Sequence, residues 1–322
     1  GSSESDDDFE TEELRRSSLR RDTDSAAAVA ALIAGSADDG EGVDPEDATE
    51  DLGIPPFLDE HMRPHQIIGV RFMHRCVCGF RNPGQFGCVL ADEMGLGKTL
   101  QAVALSWISL KQGFPKPGLP GQADPCSRIM VICPTSLIMN WYNEFSKWCG
   151  NRLFVMCVSG EGRQVTQSKI ARFRGDGSPR VQPGASARAA DDTLTRRTRT
   201  LPAWMRDPQV LILSYESARL YAADLQGADS SYCCDMLILD EAHRLKNELS
   251  QSRQVLARLP CKRRVLLTGT PMQNRMEEWF SVFDFANKGV LGTSGQFMKK
   301  FVKPIQQGRE PGASQKAKKV LQ

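Results

Sequence analysis

One stretch, Gly87–Thr99 (Gly-Cys-Val-Leu-Ala-Asp-Glu-Met-Gly-Leu-Gly-Lys-Thr), restricts what this chain can fold into more than any other. The apolar run Cys88–Ala91 reads as a strand, the glycines after it as a loop, and Leu100–Leu110 as an apolar helix. Strand, glycine loop and helix in that order make a phosphate cradle. The glycines let backbone N–H groups turn toward an anion, and the helix start adds the positive end of its dipole. Lys98 brings a mobile charge for terminal phosphates, and the Thr99 hydroxyl is placed to ligate Mg²⁺. Asp92 stands where the common phosphate-loop pattern has its first glycine. A glycine turn in an ordinary βα unit would explain the glycines and leave Lys98-Thr99 unexplained.

Further apolar runs follow at Arg128–Cys133, Leu153–Val158, Val210–Leu213, Met236–Leu239 and Arg264–Leu267. Helical spacing of apolar residues marks Arg63–Phe80, Ser136–Trp148, Gln164–Phe173, Ala218–Leu225 and Glu277–Ala286. Strands that are apolar without alternation are buried on both faces, so the expected fold is α/β, a doubly wound parallel sheet with helices on both faces. Residues 1–55 are rich in Asp, Glu, Ser and Ala and are expected to form a disordered acidic tail. Residues 56–310 make a single lobe, and residues 311–322 read as the start of a linker helix. Within the lobe, residues 174–206 hold seven arginines against three aspartates and show no apolar periodicity. They are expected to be a disordered insertion, either a spacer or an electrostatic hold on nucleic acid.

The net charge of +2 conceals an asymmetry: residues 1–51 carry 17 acids and 4 arginines, a net of −13, which leaves +15 for the rest. A basic body suits a polyanion, although a solvated surface has the same charge. No run of eighteen apolar residues exists, so no membrane partner is expected. The ten cysteines show no Cys-x-x-Cys spacing and are read as reduced core thiols in a reducing compartment.

A second site lies in Asp235–Asn247, where the apolar strand residues Met236–Leu239 carry Asp240-Glu241 to the carboxyl end of the sheet. Open α/β sheets bind their ligands there. Asp240 is placed to hold Mg²⁺ through water, and Glu241 to orient and deprotonate an attacking water. A strand-end turn accounts for Asp-Glu alone, but not for its position 240 − 98 = 142 residues after Lys98 in an alternating chain.

At these residues the chain resembles a known family. Asp240-Glu241-Ala242-His243 is similar to the box of one branch of the superfamily-two helicases. Asp92-Glu93-Met94-Gly95-Leu96-Gly97-Lys98-Thr99 resembles the loop of the Swi/Snf-type double-stranded-DNA translocases, which do not keep the first glycine. Arg63-Pro64-His65-Gln66 resembles that family's adenine-recognising segment, with Gln66 pairing with the adenine edge. Cys133-Pro134-Thr135-Ser136-Leu137, followed by Asn140-Trp141, resembles its strand-gripping motif, which puts Thr135 and Ser136 on phosphate. Ser214-Tyr215-Glu216 resembles its next backbone-contacting motif, and Arg244 is expected on phosphate too. Leu267–Asn274 resembles the motif that couples nucleotide state to lobe movement, through Thr268, Gly269 and Thr270, with His243 facing it as a relay. Taken singly, Ser214-Tyr215 and Pro134-Thr135 are ordinary strand ends; it is the six segments in order that carry the resemblance.

Phe285–Thr293, Phe297, Phe301 and Pro304–Arg309 narrow it to the recombinational-repair, radiation-sensitivity branch, from which Ala242 departs because close relatives often carry glycine there. The resemblance implies a RecA-like lobe using ATP and Mg²⁺, with Lys98, Asp240 and Glu241 catalytic. It implies a parent protein that translocates on double-stranded DNA in homologous recombination and DNA repair, in the nucleus, alongside a RecA-like recombinase. A nucleosome remodeller of the same family and a DEAH-box type RNA helicase are the rival readings. The second ATPase lobe, which brings the arginine finger, is not seen before Gln322. Such a finger contributes on the order of 10³–10⁵ in rate, so the chain alone is expected to be nearly inactive.

Overall fold

Long apolar strands need both faces covered, and the computed structural model meets that need with two separate cores. It describes residues 52–175, 207–226, 233–247, 250–269 and 276–304. In chain order the elements are α1 (Pro56–Asp59), α2 (Pro64–Cys78), β1 (Gly87–Leu90), α3 (Lys98–Gln112), β2 (Phe114–Pro115), β3 (Ala123–Asp124), β4 (Ile129–Cys133), α4 (Ile138–Cys149), β5 (Val155–Cys157) and α5 (Arg163–Arg174). Then come β6 (Val210–Ser214), α6 (Tyr215–Leu220), α7 (Ala222–Gln226), β7 (Met236–Leu239), α8 (Gln251–Ala257), β8 (Arg263–Leu267), α9 (Met276–Ala286) and α10 (Ser294–Phe297).

Six strands form one parallel sheet in the order β1-β8-β7-β4-β6-β5, and β2 and β3 pair as a small antiparallel ribbon. Because side chains alternate along a strand, β4 sends Ile129, Val131 and Cys133 to one core and Met130 and Ile132 to the other. The first core is closed by α2, α3 and α4, and the second by α5 to α9. The expected doubly wound parallel fold is what forms. The winding matters for the site: the chain leaves β1, crosses to β4, and later returns to fill the gap with β7 and β8. The loops after β1, β8, β7, β4 and β6 therefore lie side by side along one edge.

Leu52, inside the span expected to be a disordered tail, is buried, and its carbonyl accepts from Gln112 Nε2 at 2.9 Å. Residues 1–51 of that tail, nearly all of the 174–206 insertion and the 311–322 linker lie outside the described residues. The cysteines are all free; seven are buried as expected, while Cys126, Cys157 and Cys261 are half-buried.

One buried group gives the fold a pH dependence. His74 is 2% exposed, with Nε2 3.6 Å from Cys78 Sγ. Burial, assisted by the Arg75 charge, lowers its pKa from 6.5 to about 4. As pH falls the unfolded chain takes up this proton first, so the contribution is complete above about pH 6.5 and is lost as pH drops toward 4. The loss expected from this group between pH 7 and 4 is about 3 kcal/mol. Thermal melts across that range should show a shallower acid slope in His74→Leu; an unchanged slope would show that other groups set it.

Candidate functional site

The glycine loop turns inward because two residues adopt left-handed backbone: Gly95 at φ 87° and Gly97 at φ 78°. A Cβ at Gly97 would stand 2.1 Å from Gln66 Nε2, so a larger residue there would push the Gln66 amide aside. Lys98 Nζ donates to the carbonyls of Asp92 and Glu93 at 2.8 and 2.7 Å, so the loop closes around its own lysine. Burial lowers the Lys98 pKa, against the raising effect of Asp92, Glu241 and Asp240. The Asp92 side chain braces the loop from behind. Its Oδ2 accepts from Gln101 Nε2 at 3.1 Å, which pins the loop to the first turn of α3. Met94 lies at the loop's tip, 72% exposed, while Thr99 is half-buried at the start of α3.

Gln66 is turned toward the loop. Its Nε2 donates to Leu96 O at 3.0 Å, and its Oε1 accepts from Arg63 N at 2.9 Å. His65 Nε2 lies 3.3 Å from the same Leu96 oxygen. Each end of the Gln66 amide has one further hydrogen-bonding position, on a side chain that is 7% exposed.

Two strands away, Asp240 is held by fixed donors. Its Oδ2 accepts from Trp141 Nε1 at 2.8 Å and its Oδ1 from Glu241 N at 2.9 Å. Burial raises its pKa, the indole and amide donors lower it, the Glu241 charge raises it and Lys98 lowers it. Glu241 is the one non-glycine among the described residues with positive φ, at 52°. Strain of that kind costs on the order of 1–3 kcal/mol and turns the carboxylate away from its neighbour's direction. His243 Nδ1 lies 3.2 Å from Glu241 Oε2, so the histidine faces the candidate base. Between the two carboxylates and the loop runs β8, and Gly269 follows its end. A Cβ on Gly269 would meet Met94 Cγ at 2.8 Å and Lys98 Nζ at 3.4 Å. Thr268 is buried, with its N–H on Leu90 O at 3.0 Å, and Thr270 lies outside the described residues.

These residues suit a nucleotide and Mg²⁺. Asp240 is a partly desolvated carboxylate, and Lys98 rests on two carbonyls that a phosphate can replace. Among the described residues no cluster of three or more His, Cys, Asp or Glu could hold a metal by itself. Asp240 offers one carboxylate to a cation whose other ligands would be waters and phosphate oxygens, which is how Mg²⁺ is commonly held.

The candidate nucleic-acid contacts divide. Thr135 and Ser136 are exposed in the 3₁₀ turn ahead of α4, and Thr135 Oγ1 donates to Glu216 Oε2 at 3.2 Å. Arg244 is exposed, 3.6 Å from Glu216 Oε1 and above the Tyr215 ring. Ser214 is 3% exposed, and its Oγ caps α6 by accepting from Ser217 N at 2.9 Å. Its hydroxyl is thus engaged within the fold, and it is also hydrogen-bonded to the Glu216 carboxylate. Burial raises the pKa of Glu216, but its own backbone amide, Ser214, Arg244 and Thr135 together hold it below the usual carboxylate range. Sequence reasoning missed Gln101, and it placed Trp141 and Glu216 in backbone-gripping motifs without seeing that Trp141 holds Asp240 and that Glu216 meets Thr135 and Arg244. An indole N–H that must find a partner when buried is the signal that could have revealed Trp141.

Doubly wound sheets with a lysine-bearing glycine loop after the first strand and acids after a central one form the class of RecA-like nucleotide-binding lobes. Within that class the chain belongs to the SNF2-related family, whose domain matches residues 65–322. It is 37% identical over 280 residues to the human DNA repair and recombination protein RAD54-like, covering 87% of this chain and 33% of the relative. It is 40% identical over 283 residues to the rice DNA repair and recombination protein RAD54, covering 87% and 25%. The DNA repair protein rhp54 of Schizosaccharomyces pombe is 39% identical over 265 residues, covering 82% and 27%. The chain thus spans about a quarter to a third of the length of these relatives. Among solved structures it is similar to the Sulfolobus solfataricus SWI2/SNF2 ATPase core in complex with dsDNA. There the TM-score is 0.51 at 25% identity, covering 80% of this chain and 42% of that one. Among the described residues no helix is long and apolar enough to cross a membrane.

Proposed function

We propose that this chain is the ATP-binding first lobe of a DNA-dependent ATPase that translocates on double-stranded DNA in homologous recombination and DNA repair. The observation that carries the reading is the meeting of Lys98, the Asp240-Glu241 pair and Gly269 on one sheet edge. Lys98 leaves the Asp92 and Glu93 carbonyls to bind terminal phosphates, while Gln66 and Asp92 keep the loop in shape. Thr99 and Asp240 hold Mg²⁺, which when bound supplies neutralisation of phosphate charge. Glu241 accepts a proton from the water as the water oxygen bonds the terminal phosphorus and ADP leaves, and His243 beside its Oε2 can take that proton on from the neutral carboxyl. Gly269, where any added Cβ would come within 3.4 Å of Lys98 Nζ, lets the segment after β8 respond to what the lysine holds, which is the coupling role. The second ATPase lobe of the same protein, duplex DNA, and a RecA-like recombinase are the partners, and the nucleus is the place.

Steady-state ATP hydrolysis by the full-length protein with duplex DNA, single-stranded DNA and RNA tests this. Duplex DNA is expected to stimulate most. Preferential stimulation by RNA would replace the reading with an RNA helicase, and nucleosome sliding without recombinase stimulation would replace it with a remodeller.

A further inference from the structure

Glu216 is an acid placed where the surrounding groups suit an anion from outside. One of its carboxylate oxygens accepts from the Thr135 hydroxyl at 3.2 Å, and the other lies 3.6 Å from the Arg244 guanidinium. The three residues come from different segments, the 3₁₀ turn after β4, the first turn of α6 after β6 and the 3₁₀ turn after β7, and meet at the carboxyl edge. Glu216 is 55% and Arg244 42% exposed, so a ligand in solution can reach both. A carboxylate offers a hydroxyl and a guanidinium what a phosphodiester offers them: a negative charge and two acceptor oxygens.

We propose that Glu216 stands in for a backbone phosphate of the nucleic acid, pairing with Thr135 and Arg244 until a strand displaces it. This rests on the duplex-DNA reading above and adds a regulator to it. An exposed ion pair is a weak brake, so displacing it costs a ligand only a few-fold in affinity. A duplex making several phosphate contacts outweighs that cost, whereas a single small anion does not. Displacement is also felt at the nucleotide site. Arg244 lies over the Tyr215 ring, and the Tyr215 hydroxyl donates to the Asp240 carbonyl at 2.7 Å.

Fluorescence anisotropy of a labelled duplex tests this with the full chain, Glu216→Gln, Arg244→Ala and the double variant at low salt. Glu216→Gln is expected to tighten binding by about three- to tenfold, and the gain should vanish when Arg244 is alanine. Equal or weaker binding by Glu216→Gln, with the parent chain still binding, would overturn the Glu216 role alone. No duplex binding by any of the four would overturn the duplex-DNA reading and the proposal with it. Circular-dichroism melting checks folding, and Glu216→Ala provides the same comparison should the glutamine variant misfold.

Discussion

Lys98→Ala in the full-length protein is expected to lower duplex-stimulated ATP hydrolysis by at least about a hundredfold while duplex binding stays within about twofold. Lys98 is the side chain on which the loop, the strand-end acids and Gly269 converge, and its ammonium already rests on the Asp92 and Glu93 carbonyls. Removing it takes away the charge that would meet the terminal phosphates, where opposing charge in a water-poor site has its largest effect. The candidate phosphate contacts Thr135 and Arg244 touch Glu216 instead of Lys98, so the two functions should separate. Phosphate release and duplex anisotropy on the same preparation measure both. Hydrolysis retained in the variant would sink the cradle assignment; joint loss of hydrolysis and binding would point to misfolding.

Gly87→Ala is expected to destabilise the lobe by about 2–4 kcal/mol. The added Cβ would lie 2.3 Å from the Ala286 carbonyl oxygen and 2.7 Å from its carbon, which are backbone atoms that cannot rotate away. The closeness has a purpose. Asn287 clamps this end of β1, accepting from Gly87 N at 2.7 Å and donating to Gly87 O at 2.8 Å. β1 is an edge strand, and the side-chain amide covers backbone groups that would otherwise be open to another chain. Urea denaturation of the variant measures the loss. A change under about 0.5 kcal/mol would show that the junction between α9 and β1 shifts freely.

The strands were legible because continuous apolar runs leave little choice: Met236–Leu239 falls where expected, and the others differ by one or two residues at their ends. Less legible were elements whose signal is short. Gln251–Ala257 is a seven-residue helix capped by Ser250, and the β2–β3 ribbon has two residues per strand among Pro and Gly. The single helix expected over Ala218–Leu225 divides at Tyr221, where the backbone leaves helical geometry at φ −105° and ψ 23°. The phosphate loop was readable down to its lysine, but the reason for Asp92 was not, because Gln101 approaches only once α3 is formed. Ser214 shows a different limit. A serine at a strand end looks the same whether its hydroxyl faces a ligand or caps the next helix, and here it caps. The left-handed backbone at Glu241 left no trace in residue type, since glutamate seldom adopts it.

The sheet order also has a consequence for how the protein comes into being. β1 has a single neighbour in the sheet, β8, and 172 residues separate Leu90 from Arg263. At ribosomal rates that is a wait of roughly ten to thirty seconds during which the strand bearing the phosphate loop has no partner. β4, β5 and β6 can pair long before, so the half of the sheet away from the nucleotide is free to form first. The candidate nucleotide site is then completed only when the last strand threads between β1 and β7, and a nascent chain halted before Arg263 would carry its glycine loop on an unpaired edge.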